Sequence, residues 1–351
     1  MSQRTLAAVL AVPLVLALWL AALFAPLPYV TYSPGITVDV LASDDGQPRI
    51  EVTGAKTYPD DGSLVMTTVY VTRADRRVNI FEVMASWFDK DEAVYPYDAV
   101  YSKGETAESS REESARQMAS SQDVATAVAL QRLGYDVGEV VTVLDVTDGA
   151  PADGVLQKDD RIVSVDGVDA TSADVVIAQV DKAEPDVPLP IVVERDGKQV
   201  ELKVTPTMMD GKQRIGATLG RDLDLPLEVQ LRVNPSIGGP SAGLIFALGV
   251  YDTLTPGALT GGGKIAGTGT LSLDGAVGAI GGIQQKIAAS RELGAEIFLV
   301  PAGNCDEALG ARAGDMRLVK VQNFDDALAS VQSWGEDHDV ALPTCERNSS
   351  K

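Results

Sequence analysis

Histidine is almost missing from this sequence, and cysteine is scarce. One histidine and two cysteines occur among the 351 residues. The histidine, His338, lies in the polar stretch GEDHDV, which argues against a Ser–His–Asp catalytic triad. Two cysteines and one histidine at these spacings also do not supply a metal cluster. The sequence therefore predicts no metal site.

Basic residues are few as well. The 29 lysines and arginines stand against 50 aspartates and glutamates, which leaves a formal net charge of −21. Nucleic-acid surfaces need clustered basic residues, so no nucleic-acid partner is expected. A phosphate-binding loop is missing too. The nearest stretch, GALTGGGKI, has Ala258 where the first glycine belongs and Ile265 in place of the magnesium-binding hydroxyl. We therefore expect neither a nucleotide nor another cofactor.

A long run without charge is present near the N-terminus. Residues 6–25, LAAVLAVPLVLALWLAALFA, would form a helix of roughly 30 Å, the thickness of a bilayer core. This predicts a single-pass transmembrane anchor after a cytoplasmic stub of residues 1–5. Because Arg4 is the only charge before the run, the rest of the chain should be extracytoplasmic. A cleaved signal peptide is the alternative, although Leu23 and Pro26 fit a cleavage site poorly.

Both cysteines lie in the C-terminal part of the chain. Outside the membrane, Cys305 and Cys345 would be oxidised to a disulfide that ties the tail to the last domain. Two free thiols are the alternative.

Changes of periodicity and turn clusters divide the remaining chain. They indicate an N-terminal region (26–137), a small β-rich domain (138–206), a larger domain of alternating helices and strands (225–338) and a tail (339–351) that ends in the disordered stretch ERNSSK. In the N-terminal region, residues 63–73 read as a strand, and residues 106–134 as a helix with Ser109 and Glu112 as its capping box. The predicted fold class is α+β.

The β-rich domain shows the order strand, strand, helix, hairpin. EVVTVLDV and RIVSVDG are its strands, Ser172 caps its helix, and Asp196-Gly197 closes its hairpin. The stretch GAPADGVLQKDDRIVSVDGVDA resembles a PDZ domain of the type associated with bacterial proteases. Peptide-binding PDZ domains place a glycine-bearing carboxylate loop ahead of the groove strand, whereas a helix precedes Gly138. A peptide-binding role and a structural or gating role therefore stay equally open.

One serine stands out in the larger domain. Ser241 lies in GGPSAG, where the glycines let a substrate backbone approach and leave amides free to bind an oxyanion. Because Pro240 has no N–H, the candidate donors are the amides of Gly239, Ser241 and Ala242. Taken alone, however, a serine at this place is more typical of a helix N-cap than of a nucleophile.

A nucleophilic serine needs a proton acceptor, and a lysine is the candidate here. No serine has a lysine three residues later, which excludes a Ser-x-x-Lys site. Lys286 lies near a helix start in AIGGIQQKIAAS, among isoleucines. Apolar burial and the positive end of the helix would both favour its neutral amine. Lys264, in a glycine-rich loop, is a weaker candidate, and a lone lysine at a helix start is more often a surface residue.

Together the two motifs resemble a known family. GGPSAG, followed 45 positions after its serine by the lysine of IGGIQQK, is similar to the proteolytic domain of Lon-type proteases, which use a Ser–Lys dyad, and GAEIFLVP matches as well. With the anchor and the PDZ-like domain, the chain resembles the membrane-anchored, PDZ-containing Lon-like proteases of bacteria. This resemblance implies Ser241 as nucleophile, Lys286 as general base and Thr268 as the residue that orients the lysine.

Two features depart from the family pattern. Lon proteases often carry a second lysine two residues before the catalytic one, and here that residue is Gln284. The separation of serine and lysine is also slightly longer than in Lon itself. The resemblance further implies a homo-oligomer, often a hexamer. Without an ATPase, its polypeptide substrates should be unfolded or flexible exported chains.

The sequence thus favours an ATP-independent, membrane-anchored serine endopeptidase. The main alternative is a membrane-tethered PDZ adaptor or holdase that binds extended polypeptides without cleaving them, and a small-molecule amidase is a more distant one. A serine-directed acylating probe separates an enzyme from an adaptor, because only an enzyme should be labelled at Ser241.

Overall fold

The computed structural model describes residues 3–44, 46–58, 61–184, 186–209 and 211–346. The chain folds as two compact units. The split unit combines the residues up to Leu133 with those from Leu227 onward, and the inserted unit consists of Gly134–Pro226.

The described residues form the following strands and helices. The strands are β1 (Tyr29–Asp39), β2 (Ser43–Asp44), β3 (Gln47–Pro48), β4 (Ile50–Thr53), β5 (Ser63–Val71), β6 (Ala93–Pro96), β7 (Gly138–Val146), β8 (Arg161–Val165), β9 (Val168–Asp169), β10 (Leu189–Arg195), β11 (Lys198–Val204), β12 (Thr207–Met209), β13 (Lys212–Arg214), β14 (Ala217–Asp224), β15 (Glu228–Leu231), β16 (Lys264–Gly267), β17 (Thr270–Leu271), β18 (Val277–Gly278), β19 (Ile297–Pro301) and β20 (Arg317–Val321). The helices are α1 (Gln3–Phe24), α2 (Ile80–Phe88), α3 (Tyr97–Val100), α4 (Ala107–Arg132), α5 (Ala173–Lys182), α6 (Gly243–Leu254), α7 (Ile283–Leu293), α8 (Cys305–Ala308) and α9 (Phe324–Glu336), with a short 3-10 helix at Ala302–Asn304.

A six-stranded sheet with helices on both faces forms the split unit. Its strand order is β20-β19-β16-β5-β1-β6; β5, β16, β19 and β20 are parallel, and β1 is antiparallel to both its neighbours. Successive residues of β19 point to opposite faces of the sheet and belong to different cores: Leu299 packs with α4, α6 and α9, and Phe298 with α7 and α8. Helix α6 is apolar all round and buried over its first two turns, as expected of a helix enclosed by its neighbours.

The predicted N-terminal region, 26–137, folds together with the predicted C-terminal domain. Strand β5 pairs in parallel with β16, about 200 residues later in the chain, and α4 packs on α6. The sequence pattern gave no sign of this pairing because periodicity reports local structure, not the partner of a strand. The predicted capping box of α4 is wrong by three residues: Thr106 caps the helix and pairs reciprocally with Ser109.

The N-terminal apolar run forms helix α1, but a transmembrane anchor over residues 6–25 is not supported. Among the residues that the structure describes, no helix is long and apolar enough to cross a membrane. The finding overturns the predicted anchor and the single-pass topology that depended on it.

The inserted unit is a small antiparallel sheet with one helix. Its strand order is β11-β10-β8-β7-β14, with β9 beside β8, and α5 packs against it. The structure confirms the cap of α5 at Ser172 and the β10–β11 hairpin at Asp196-Gly197. The unit continues past the predicted end at residue 206, because β14 returns to pair with β7 and completes the sheet.

The C-terminal segment after α9 is attached to the split unit. Cys305 and Cys345 form a disulfide, and the Lys320 N–H donates to the Pro343 carbonyl at 2.9 Å. The tail predicted from residue 339 is therefore packed as far as Cys345. Most of the stretch ERNSSK, predicted to be disordered, lies outside the described residues.

Candidate active site

Two helices on opposite faces of the sheet bring Ser241 and Lys286 together. Ser241 lies directly ahead of α6, and Lys286 lies in the first turn of α7. The chain that leaves β16 passes between them, where the Gly269 N–H donates to the Ser241 carbonyl at 2.8 Å. Ser241 does not cap α6, because the N-cap residue is Ala242 and no side chain caps this helix. The helix-cap interpretation of Ser241 is thus wrong.

The three side chains expected at the site form one hydrogen-bonded cluster. Lys286 Nζ lies 2.8 Å from Ser241 Oγ and 2.9 Å from Thr268 Oγ1. Both distances are within the range that direct proton transfer requires.

Lys286 is almost fully removed from water. Its side chain is 2% exposed, and the flanking Ile283 and Ile287 are completely buried. Burial disfavours the ammonium form and lowers the pKa of Lys286 to about 7. Within the described ranges, no carboxylate forms an ion pair with this lysine that would restore its charge. A substantial fraction of the amine is therefore neutral near pH 7.

The Thr268 hydroxyl restricts the hydrogen bonds that this amine can form. The Thr268 hydroxyl donates its one proton to the Ser241 carbonyl at 2.9 Å. Its oxygen can then only accept from Lys286, so one amine N–H is held by Thr268. With that N–H fixed, the lone pair of the neutral amine is free to accept the Ser241 hydroxyl proton. The arrangement can thus activate the serine as a nucleophile.

The candidate oxyanion donors differ from one another in the structure. The Gly239 N–H donates to the Ser114 carbonyl at 2.8 Å, so this amide is already used. For the amides of Ser241 and Ala242, no backbone acceptor is found in the part of the chain that the structure describes. These two amides, rather than that of Gly239, are available to an oxyanion.

A cavity of about 530 Å³ opens at Ser241. Its walls come from β1, β5, α4 and the loops ahead of α6 and α7, and include Ile36, Met66, Thr67, Thr68, Val69, Tyr70, Met118, Ile237 and Ile280. The contributions of β1, β5 and α4 to this cavity were not predictable from the sequence, because these elements lie more than 100 residues before Ser241. A signal was present for β5 and for α4, which were predicted as a strand over residues 63–73 and a helix over residues 106–134, but their place beside the serine was not predicted.

One edge of β5 is open at this cavity. Strand β16 ends at Gly267, opposite Met66, whereas β5 continues to Val71 and pairs with β1 alone from there on. Residues 67–70 of this unpaired half line the cavity. The site therefore presents a free strand edge to whatever enters it.

The other sequence candidates lie away from the serine. Lys264 Nζ donates to the Leu293 carbonyl at 3.1 Å, which makes this lysine a structural residue. Gln284, at the position of the second lysine of Lon proteases, donates to the Glu307 carbonyl at 3.0 Å. Its side chain is thus used to connect α7 to α8.

A second cavity, of about 580 Å³, lies in the inserted unit between α5 and β14. Strand β14 is the edge strand of its sheet. Gly216, with φ +74°, directly precedes β14, and a Cβ there would lie 2.2 Å from the Ala150 side chain. A glycine-bearing loop was expected ahead of β7, the first strand of the unit, and the structure places one ahead of β14 instead. The loop was not predicted because β14 is the last strand of the unit in the sequence.

Comparisons with known proteins agree with this division into units. Residues 128–205 match the model of the PDZ domain, and residues 234–331 match that of the Lon protease (S16) C-terminal proteolytic domain. The chain therefore contains a PDZ domain and a Lon-type proteolytic domain within an α+β fold. The second match indicates a serine peptidase.

The similar proteins are mostly much longer. A Lon protease of Campylobacter concisus is 31% identical over 39% of this chain and 17% of its own length. A Lon protease of Citrifermentans bemidjiense is 28% identical over 73% of this chain and 32% of its own length. This chain thus spans less than a third of these relatives. The PDZ domain of an SdrC-like protein from Listeria innocua is 26% identical, covering 23% of this chain and 92% of that one, at a TM-score of 0.22.

Proposed function

We propose that this chain is a serine endopeptidase with Ser241 as nucleophile and Lys286 as general base. The observation that carries the proposal is the buried amine of Lys286, 2.8 Å from the Ser241 hydroxyl and without an ionic partner among the described residues. A lysine so placed has no evident structural use for its charge, since burial of an ammonium is costly. Its neutral form is the one that a base requires.

The reaction would proceed through an acyl-enzyme. Ser241 Oγ attacks the scissile carbonyl while its proton passes to Lys286 Nζ, and the amides of Ser241 and Ala242 bind the oxyanion. Lys286 then returns the proton to the leaving amine as the C–N bond breaks. In the second half, Lys286 takes a proton from water, whose oxygen attacks the ester carbonyl. Lys286 then returns the proton to Ser241 Oγ as the C–O bond of the ester breaks and the carboxyl product leaves.

The substrate that fits this site is an extended polypeptide. A peptide in β conformation can pair with the open half of β5, at residues 67–71, and present its scissile bond to Ser241. Only an unfolded or flexible segment can adopt that conformation, which favours substrates that need no prior unfolding.

We also propose that cleavage needs no nucleotide. The stretch closest to a phosphate loop, residues 257–265, ends inside the sheet: Ile265 is completely buried in β16. Since Lys264 is held by the Leu293 carbonyl, neither residue is available to a phosphate. Assembly into a hexamer stays a prediction from the family resemblance.

The PDZ domain offers a second binding function. Its groove between α5 and β14 combines a free strand edge with the glycine-bearing loop at Gly216. This arrangement suits a polypeptide end, and we propose that it recruits substrate. An adaptor that does not cleave would need this groove alone.

Cleavage and labelling together test the proposal. The purified chain should cleave a fluorescein-labelled, permanently unfolded polypeptide without nucleotide, and mass spectrometry should find a serine-directed acylating probe on Ser241. Ser241→Ala should abolish both results. Binding of the polypeptide with neither cleavage nor label would support the adaptor and overturn the peptidase.

Thr268 provides a further prediction. Thr268→Val removes the acceptor that orients Lys286, and we expect kcat to fall about 10- to 100-fold, as for other small misplacements of catalytic groups. Thr268→Ser keeps the hydroxyl and should retain most of the activity. Steady-state kinetics on a fluorogenic peptide measures the difference. Equal kcat values for the two variants would show that the hydroxyl has no orienting role.

A further inference from the structure

Helix α4 lies along the loop that carries Ser241. The Ser114 carbonyl accepts a hydrogen bond from the Gly239 N–H at 2.8 Å, and the Ser121 hydroxyl donates to the Pro240 carbonyl at 3.0 Å. The two bonds end on the two residues directly ahead of Ser241. Helix α4 therefore holds the last peptide units before the nucleophile.

The glycines of the loop reflect how closely α4 approaches. A Cβ on Gly238 would lie 2.6 Å from Ser114 Cβ, and a Cβ on Gly243 would lie 2.9 Å from Ser121 Oγ. Real Cβ atoms are not found so close to other atoms. Gly238 and Gly243, which were predicted to give the substrate access, are thus also needed to leave room for α4.

One face of α4 makes all these contacts. Ser114 and Ser121 are seven positions apart, two turns of helix, and Met118 lies between them on the same face. Met118 and Ser121 are both buried, and Met118 lines the cavity at Ser241. Ser120, the residue directly before Ser121, is exposed.

The bond from Ser121 fixes the direction of a catalytic amide. In a trans peptide unit the C=O and the N–H point in opposite directions, and no cis peptide bond is found in the described chain. Because Ser121 holds the Pro240 carbonyl toward α4, the Ser241 N–H of the same peptide unit points away from α4. That N–H is one of the two free amides proposed to bind the oxyanion. Ser121 itself touches neither Lys286 nor Thr268 in the hydrogen-bonded cluster.

We propose that Ser121 is a positioning residue that aims the Ser241 amide at the oxyanion. The inference rests on the proposed peptidase function. Without the Ser121 hydroxyl, the Pro240 carbonyl keeps only the longer hydrogen bond from the Gly243 N–H, at 3.3 Å. The Pro240–Ser241 peptide unit is then held less firmly, and the oxyanion loses the full preorientation of one donor. The general base is left unchanged.

The test compares Ser121→Ala with Ser120→Ala, the same chemical change on the exposed side of α4. We expect Ser121→Ala to lower kcat on a fluorogenic peptide about 10- to 100-fold, with KM within about twofold, since loss of one oxyanion donor costs up to about 10³-fold. Ser120→Ala should match the wild type. The pH at half-maximal kcat/KM should be the same in all three proteins.

A transition-state analogue separates positioning from general structural damage. Affinity for a peptide boronate, whose tetrahedral adduct fills the oxyanion site, should fall in parallel with kcat in Ser121→Ala. Affinity for a non-cleavable peptide isostere should not change. Ser121→Thr keeps a hydroxyl donor and should retain at least about a third of wild-type kcat, which keeps the test decisive if the alanine variant is unstable.

The outcomes are distinct. If the wild type cleaves and Ser121→Ala behaves like Ser120→Ala, the positioning role is overturned while the peptidase stands. A shifted pH profile in Ser121→Ala would also contradict the inference, because it would place the effect on Lys286. If the wild type neither cleaves nor binds the boronate covalently, the proposed function fails and this inference with it.

Discussion

Lys286→Met and Ser241→Ala are each expected to lower kcat on an unfolded polypeptide by about 10⁴-fold or more. The large fall in kcat is expected because Ser241 and Lys286 act together in one step. When residues act as such a unit, removing one lowers kcat about as much as removing both. We therefore expect the double variant to be no slower than either single variant. Methionine fills a volume close to that of the lysine side chain, so the change removes the base with little effect on packing.

Lys264→Met is the matched control for this experiment. It makes the same substitution at a lysine that donates to the Leu293 carbonyl and lies outside the site. We expect wild-type kcat from it. More than about a tenth of wild-type kcat in Lys286→Met would mean that another group accepts the Ser241 proton, and the proposed base would be wrong.

The same Lys286→Met substitution is expected to stabilise the fold. In the unfolded chain the lysine titrates near 10.5, and in the folded protein near 7. Each pKa unit corresponds to about 1.4 kcal/mol, so burial of the amine costs about 5 kcal/mol below pH 7. The two hydrogen bonds of the amine offset roughly 2 kcal/mol of this. We expect a net gain of about 3 kcal/mol in the free energy of unfolding at pH 6.5.

The stability gained by Lys286→Met should decrease as the pH rises. Between about pH 7 and pH 10.5 the unfolded chain binds a proton at Lys286 that the folded protein lacks, so wild-type stability rises with pH across this window. The advantage of Lys286→Met therefore shrinks from pH 7 toward pH 10. Urea unfolding of both proteins at pH 6.5 and pH 9.5 measures this. A variant less stable than the wild type at pH 6.5 would show that the lysine is charged and well paired in the fold.

The parts of the site that could be predicted from the sequence are those formed by residues close together in the chain. The pairing of Ser241 with Lys286 and Thr268 was predicted from the resemblance of GGPSAG and IGGIQQK to the motifs of Lon-type proteases, and each motif is a short, local stretch that can be recognised without knowing the fold. The roles of α4 and β5 were not predictable, since strand pairing and helix packing join segments more than 100 residues apart and leave no periodic trace. Residues 67–70 and Ser121 enter the site only through those contacts.

The same limit explains the errors in the inserted unit and at the oxyanion. The groove of the PDZ domain depends on β14, the last strand of the unit, which completes a sheet begun by β7. Gly239 was predicted as a donor because it lies two residues before Ser241, yet its amide N–H donates to the Ser114 carbonyl of α4. In both cases the prediction considered only neighbours in sequence. The role of the loop and of the amide is decided by a contact with a segment far away in the sequence.

A direct titration of Lys286 tests the account at its centre. NMR of the protein with ¹³C-labelled lysine follows each ε-carbon, and the signal absent from Lys286→Met identifies the residue. We predict a midpoint about pH 7 for this signal, well below those of the other lysines. A midpoint near 10 would show that the amine beside Ser241 is an ammonium at neutral pH, and a Ser–Lys peptidase mechanism would be contradicted.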